Sequence, residues 1–314
     1  MKDTNKIKIM TYNVMLLPRI VGDFDQKNRS KSIATSLLNI PEEEQPHIII
    51  FTEMFSRYSD NIINALKREY PYYSQRLGTE CSGSQWNEYQ GNCSQLFFII
   101  NGGVLIMSKY PIEYKVQYVF KNKAISTFDY YTNKGAVYIK VNKEGHTHHI
   151  IGTHMQADQG NNLQPSVRNK QLKEIRNFIE SLKIPKNEPV IVAGDFNITD
   201  VDEITNHNIQ KILNGKYNLD SDYKSFSAIT NDYTKCLADF MNYSLKYNYT
   251  LDYIVYLDDY LQPTNNPTTH IITLKSLTPL YWKYMNKKLP DTKGFYKDPS
   301  DHYPVEVEYH FHSR

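Results

Sequence analysis

The sequence has little of what marks several protein classes. No apolar run approaches the ~20 residues that a membrane-crossing helix needs, which excludes a helical span. Net charge is nearly absent, with 36 Lys and Arg against 34 Asp and Glu, formally +2. A chain that binds by coating a nucleic-acid backbone usually carries a basic face, so no nucleic-acid partner is expected. A nuclease needs only a few placed cations and is not excluded by this balance. Repeats, low-complexity tracts and Pro/Gly-rich linkers are missing, so residues 1–314 read as one domain, and as a monomer. The opening MKDTNKIKIM lacks the apolar core and small-residue cleavage site of a signal peptide. The chain is read as cytosolic or as a mature secreted form without its leader. Cysteine is scarce at three residues, and no thiol or histidine cluster has zinc-like spacing.

What is present is a 40% hydrophobic fraction, enough for a sizeable core, and 26 tyrosines. KIKIMTYNV (6–14) alternates apolar and polar residues as a half-buried strand does. HIIIFTE (47–53) and PVIVAGDFN (189–197) are continuously apolar and predict strands buried on both faces. LFFII and GGVLIMS (96–108), GAVYIKV (135–141), THHIIGTH (147–154), YTLDYIVYL (249–257) and HYPVEVEYHF (302–311) are further strand-like runs. Residues 28–39, 60–69 and 167–182 carry helical periodicity. Strands with helices at intervals predict two stacked sheets with outer helices. Cys81 and Cys93 bracket a polar Gly/Ser/Asn stretch that reads as an exposed loop. A disulfide closing that loop suits an oxidising compartment; two separate thiols is the competing reading, and Cys236 is left over.

Polar residues recur where the apolar strands stop: Asn13, Glu53, His154, Asp195, Asn197, Asp252, Asp301 and His302. Taken singly, each is an ordinary turn or structural residue. Together they gather at one rim, because strand ends of layered α/β proteins converge and ligands bind there. Carboxylates and amides at one rim suit a hard, oxygen-preferring cation, and Mg²⁺ is favoured over Zn²⁺. Burying those charges without a cation would be costly.

TYNV, FTEMF, GGVLIMSKYPI, GTHMQAD, VAGDFNI, LDYIVY and PSDHYPVEV, in that order, resemble the motif set of the deoxyribonuclease-I-like endonuclease/exonuclease/phosphatase superfamily. SKYPI after a double glycine, NKGAVY, THMQAD and SDHYPV look like the bacterial sphingomyelinase C family within it. The resemblance implies a four-layer α/β/β/α sandwich of two mixed sheets. It implies Glu53 as principal Mg²⁺ ligand with Asn13 beside it, and Asp195 and Asn197 positioning water and a phosphate oxygen. His302 would be the general base, Asp252 the acid holding its ring, and His154 a charge stabiliser or proton donor across the phosphate, with Asp301 supporting that end. Sphingomyelin, or a related choline phospholipid, would be cleaved to ceramide and phosphocholine by a secreted, peripherally membrane-bound enzyme. Asp158 and Lys134 are candidate substrate contacts or plain surface charges.

The aromatic-rich insert LTPLYWKYMNKKLPDTKGFY (277–296) occupies the place of the family's exposed hydrophobic hairpin. Bulky groups fall on successive positions, so Leu280, Tyr281 and Trp282 are expected to contact membrane, with Lys287 and Lys288 near headgroups. A hairpin packed on its own domain is the alternative. Some members hold a second metal at the side edge; here those places read FSR (55–57) and Ile100-Asn101, poor ligands for a hard cation. The competing functions are a nuclease of the same superfamily and a non-catalytic membrane-binding module.

Overall fold

The computed structural model describes residues 5–159, 163–219, 224–240 and 244–312. Two mixed sheets face each other. The first runs in the order His270–Ile271, Val305–His310, Lys6–Asn13, Ile48–Thr52, Leu105–Ser108, Tyr72–Tyr73. The second runs Gly215–Lys216, Asp252–Leu257, Val190–Asp195, His146–His154, Gly135–Lys143, Ile112–Val119, Glu88–Gly91. The β-branched runs explain the facing layers. Ile7, Ile9, Ile48 and Ile50 of one sheet meet Val137, Ile139, Ile150, Ile191 and Ile254 of the other in a core without exposure. The sheets approach closely at Gly152, where a Cβ would stand 2.9 Å from Ile50 Cγ2 and 3.1 Å from Ile106 Cδ1.

Each sheet has a second apolar face, and helices cover both. Ile33 and Leu37 of the helix Gln26–Leu38, with Ile62 and Leu66 of Ser59–Leu66, pack on Met10, Ile49, Phe51 and Met107. Leu172, Ile175 and Ile179 of Gln164–Ser181, with Ile209 and Leu213 of Glu203–Leu213, pack on Ile151, Val192 and Val255. The order helix, sheet, sheet, helix is the four-layer sandwich that the motifs implied.

Two expectations are corrected. The run 96–108 is a strand only at Leu105–Ser108, and Leu96 to Phe98 remain exposed. The double glycine diverts the chain: Gly102 donates to Leu77 O at 2.7 Å and lies so near Asn133 O that a Cβ would stand 2.2 Å from it. The insert is also more than a hairpin. Its ladder is limited to Leu280–Tyr281 against Phe295–Tyr296, with the helix Lys283–Lys288 between. Trp282 is not a membrane-facing residue. It is 5% exposed, in a cluster with Phe24, Tyr233 and Met285, because burying an indole against those rings gains more than leaving it in water. Leu280 is half-buried on the same cluster, whereas Tyr281 and Phe295 are exposed and stack edge-on at 5.5 Å.

Candidate active site

Strand direction explains why the polar residues meet. Lys6–Asn13 and Ile48–Thr52 are parallel, so their C-terminal ends carry Asn13 and Glu53 to one edge. Val305–His310 runs antiparallel beside them, which sets Asp301 and His302, just before it, at the same edge. In the second sheet, parallel His146–His154 and Val190–Asp195 end in His154 and Asp195. The antiparallel strand Asp252–Leu257 begins there, with Asp252 opposite Asp195. Gly194, at φ +147°, lies where a Cβ would stand 1.9 Å from Thr153 O, so glycine is required beside Asp195. Glu53 (φ 60°) and Asn197 (φ 52°) both adopt left-handed backbone as the chain turns off its strand, the kind of strain that collects at functional sites.

One amide joins the two sheets. Asn13 Nδ2 donates to Glu53 Oε1 at 3.0 Å and to Asp195 Oδ2 at 2.9 Å. Its Oδ1 accepts from Met15 N at 2.9 Å. In this arrangement Asn13 clamps two carboxylates and does not offer them an oxygen. Asp195 Oδ1 accepts from Asn197 N at 2.8 Å, and Asn197 Nδ2 donates to Met155 O at 3.2 Å.

Two buried histidines flank this centre in opposite electrostatic states. His302 Nδ1 lies 2.7 Å from Asp252 Oδ2, which also accepts from Ser225 Oγ at 2.6 Å. Burial pulls the His302 pKa down, but Asp252, Asp301 and Asp195 outweigh it and push it up to about 10. His154 is driven well below its usual value by burial, with Lys134 and His302 acting in the same direction. Its Nε2 is 3.0 Å from Lys134 Nζ, 3.7 Å from Asp195 Oδ2 and 4.0 Å from Glu53 Oε1. Lys134 also donates to Asp129 Oδ2 at 2.7 Å and to Met155 O at 3.0 Å. It is 4% exposed, so it belongs to the site and not to the surface. Asp158 does not reach the centre; its side chain is exposed and pairs with Arg168 at 2.7 Å.

The donor set fits a hard cation. Burial raises Glu53 to about 7 and Asp195 to about 6, and it raises Asp301 as well. Such carboxylates are stabilised as anions by a divalent ion among their oxygens. Ligand atoms of Glu53, His154 and Asp195 lie within 4.8 Å of one another, and so do those of Asp195, Asp252 and His302. The side edge is different. Phe55 O accepts from Asn101 Nδ2 at 3.0 Å and Ser56 O from Arg76 Nη1 at 3.2 Å, so donors already cap the carbonyls there.

Three contributors escaped the sequence reading. Ser225 carries no local signal, because its partner Asp252 is 27 residues away, and Asp129 reads as an ordinary turn acid although Lys134 is five residues on. Arg29 had one: it shares helical spacing with Ile33 and Leu37 and therefore their buried face. It donates to the carbonyls of Val14, Met15, Phe24 and Pro299 and stacks 4.6 Å over Tyr233. Ser300 Oγ bonds Asn13 O at 2.8 Å, which completes the tie between the Asn13 and His302 segments. The cysteine loop is closed by a Cys81–Cys93 disulfide with Cα atoms 5.4 Å apart, and Cys236 is buried elsewhere.

Residues 10–302 match the Endonuclease/Exonuclease/phosphatase family, and the chain belongs to it. It is 34% identical over 323 residues to a sphingomyelinase C of Bacillus cereus, covering 96% of this chain and 88% of that protein. It is 35% identical over 306 residues to sphingomyelinase C of Leptospira interrogans, covering 95% of this chain but spanning only 51% of that relative. A solved Staphylococcus aureus beta toxin mutant with bound magnesium ions superposes at a TM-score of 0.83 with 29% identity, covering 97% of this chain and 99% of the other. The motif resemblance to bacterial sphingomyelinases thus extends to the fold.

Proposed function

We propose that this protein hydrolyses sphingomyelin to ceramide and phosphocholine at a membrane surface, in a Mg²⁺-dependent reaction. The observation that carries this reading is the His302–Asp252 pair, 2.7 Å apart, at the rim where Asn13 joins Glu53 to Asp195. Sphingomyelinase C relatives support the substrate, and a magnesium-bearing structural neighbour supports the ion.

His302 takes the proton of the attacking water, and Asp252 fixes its ring through Nδ1 and stabilises the imidazolium. Ser225 holds the second bond to Asp252 and so fixes that carboxylate. Asp195 and Asn197 orient the water and a phosphate oxygen. His154 faces the phosphate from the opposite side with its Nε2 3.0 Å from the Lys134 ammonium, which supplies the proton that His154 relays to the leaving ceramide oxygen and is reprotonated from solvent. Asp301 supports the His302 end. Glu53, with Asp195, would hold the cation, which when bound neutralises phosphate charge and offsets the carboxylates that push His302 upward. The Cys81–Cys93 disulfide supports an oxidising, secreted setting. Among the described residues no helix is long and apolar enough to cross a membrane. Tyr281 and Phe295, with Leu280 at their base, are the insert's membrane-facing groups.

The test is hydrolysis of sphingomyelin vesicles with EDTA, then with excess Mg²⁺, and of supercoiled plasmid in parallel. Vesicle turnover that EDTA stops and Mg²⁺ restores is expected. Plasmid nicking without lipid turnover would assign the site to a nuclease.

A further inference from the structure

A second apolar surface lies outside the insert. Leu96, Phe97 and Phe98 precede the double glycine, and Phe128, Tyr130 and Tyr131 belong to the short turn Phe128–Tyr131. All are exposed, Phe97 at 98% and Phe128 at 76%. The two segments touch: Phe98 meets Tyr131 edge-on at 6.1 Å, and Ile100 N donates to Tyr131 O at 2.9 Å. Single exposed apolar residues are ordinary, but a contiguous group marks an interaction surface. A slack loop does not account for this one. Asn133 donates to Ser94 O at 2.7 Å and accepts from Ser94 N at 3.2 Å, directly after the disulfide ends at Cys93. The rings are presented by a clamped backbone.

The same turn reaches the site. Asp129, between Phe128 and Tyr130, points inward to Lys134 Nζ at 2.7 Å, and Lys134 meets His154 at 3.0 Å. Rings outside and carboxylate inside make this patch a shoulder of the rim. We infer that it is a lipid-contacting surface that enters the interfacial layer of a zwitterionic bilayer beside the site. This rests on the proposed sphingomyelin reaction. That substrate must present its headgroup to His302 while its chains stay in the layer, so apolar surface next to the site is what it requires. Charge favours this occupant. SQLFFII (94–100) carries none, and Lys123 is turned onto Thr132 O at 2.6 Å. Neither 94–100 nor 128–131 contains a Lys or Arg to complement an anionic polymer or anionic lipid, whereas aromatic rings with polar tips suit the interface.

The test uses vesicles of phosphatidylcholine alone, which hold no sphingomyelin and so report binding apart from turnover. Phe97→Ser with Phe128→Ser is expected to lower co-sedimentation with them by roughly tenfold or more. Thermal midpoint and turnover of a soluble phosphocholine ester serve as checks on fold and site. Wild-type binding is expected to be insensitive to added salt. As a second arm, Phe97→Trp should show a blue-shifted emission on adding vesicles, over a constant background from Trp86 and Trp282, which are 3% and 5% exposed. Unchanged sedimentation of the double variant, or no blue shift, overturns the inference. So does a wild-type dimer in ultracentrifugation that the double variant converts to monomer, since a second copy would then cover the patch. Loss of vesicle binding by the variant, with no sphingomyelin turnover by the wild type, would remove the reaction but keep the surface.

Discussion

Asp195 and Asp252 lie directly opposite one another on paired antiparallel strands. Like charges so placed repel, and the presence of Asp252 raises the pKa of Asp195 after burial has done so. Each is held by different partners: Asp195 by Asn13 and Asn197, Asp252 by His302 and Ser225. The rim therefore stores electrostatic strain that ligands can relieve.

Removing His302 should stop the reaction. His302→Ala is expected to lower sphingomyelin turnover at least about a thousandfold while far-UV dichroism stays unchanged. Retention of a third of the activity would mean that another group is the base.

Glu53→Gln separates function from stability. It should abolish Mg²⁺-supported turnover, yet in EDTA at pH 8 it should melt above the wild type. Burial holds Glu53 near 7, so its ionised form opposes folding there on the order of 1–3 kcal/mol. Calorimetry in EDTA checks this; a lower midpoint for the variant contradicts it.

Metal content should be one divalent ion per chain at the rim, because Asn101 and Arg76 cap the Phe55 and Ser56 carbonyls at the side edge. Equilibrium dialysis reads the number, and two ions per chain would show that those caps yield.

Stability should fall on acidification through His47 and His148. Burial, reinforced by lysines, lowers them to about 4 and about 3 from 6.5. His47 Nδ1 accepts from Lys8 N at 3.0 Å and so needs its neutral form. The unfolded chain takes up these protons first, so stability present above pH 6.5 is lost between 6.5 and about 4. Each histidine contributes about 1.4 kcal/mol per pH unit in that window. Urea midpoints should drop less steeply for His47→Gln with His148→Gln; equal slopes would exclude these two groups.

The insert divides into an inner and an outer part. Trp282→Ala should destabilise the fold by about 3–5 kcal/mol and lower activity on all substrates when warmed. Tyr281→Ser with Phe295→Ser should leave urea midpoints nearly unchanged and reduce vesicle binding several-fold. If both variants lose stability equally, the outer rings are structural too.

The rim was legible in the sequence because its residues end strands with strong local signatures. Asn13, Glu53, His154 and Asp195 each close an apolar run, and the parallel pairing does the rest. Trp282 was not, since its direction depends on Phe24 and Tyr233, far away along the chain. Lys134 read equally as a substrate contact or a surface charge, because its buried bonds to Asp129 and His154 exist only in the folded state. Residues 96–98 have the composition of a strand, but the clamp on Ser94 and the approach of Gly102 to Leu77 take them away from the sheet.

Gly152 stands two residues before His154, and Ile50, which it nearly touches, stands three before Glu53. A side chain at 152 would press on the Ile50 and Ile106 side chains between the sheets just beneath the rim, where one strand leads to a carboxylate and the other to an imidazole. In the proposed reaction, the gap that has to fit a phosphodiester is thus bordered by a missing methyl group inside the core. The dimensions of the site belong to the interior of the protein as much as to its edge.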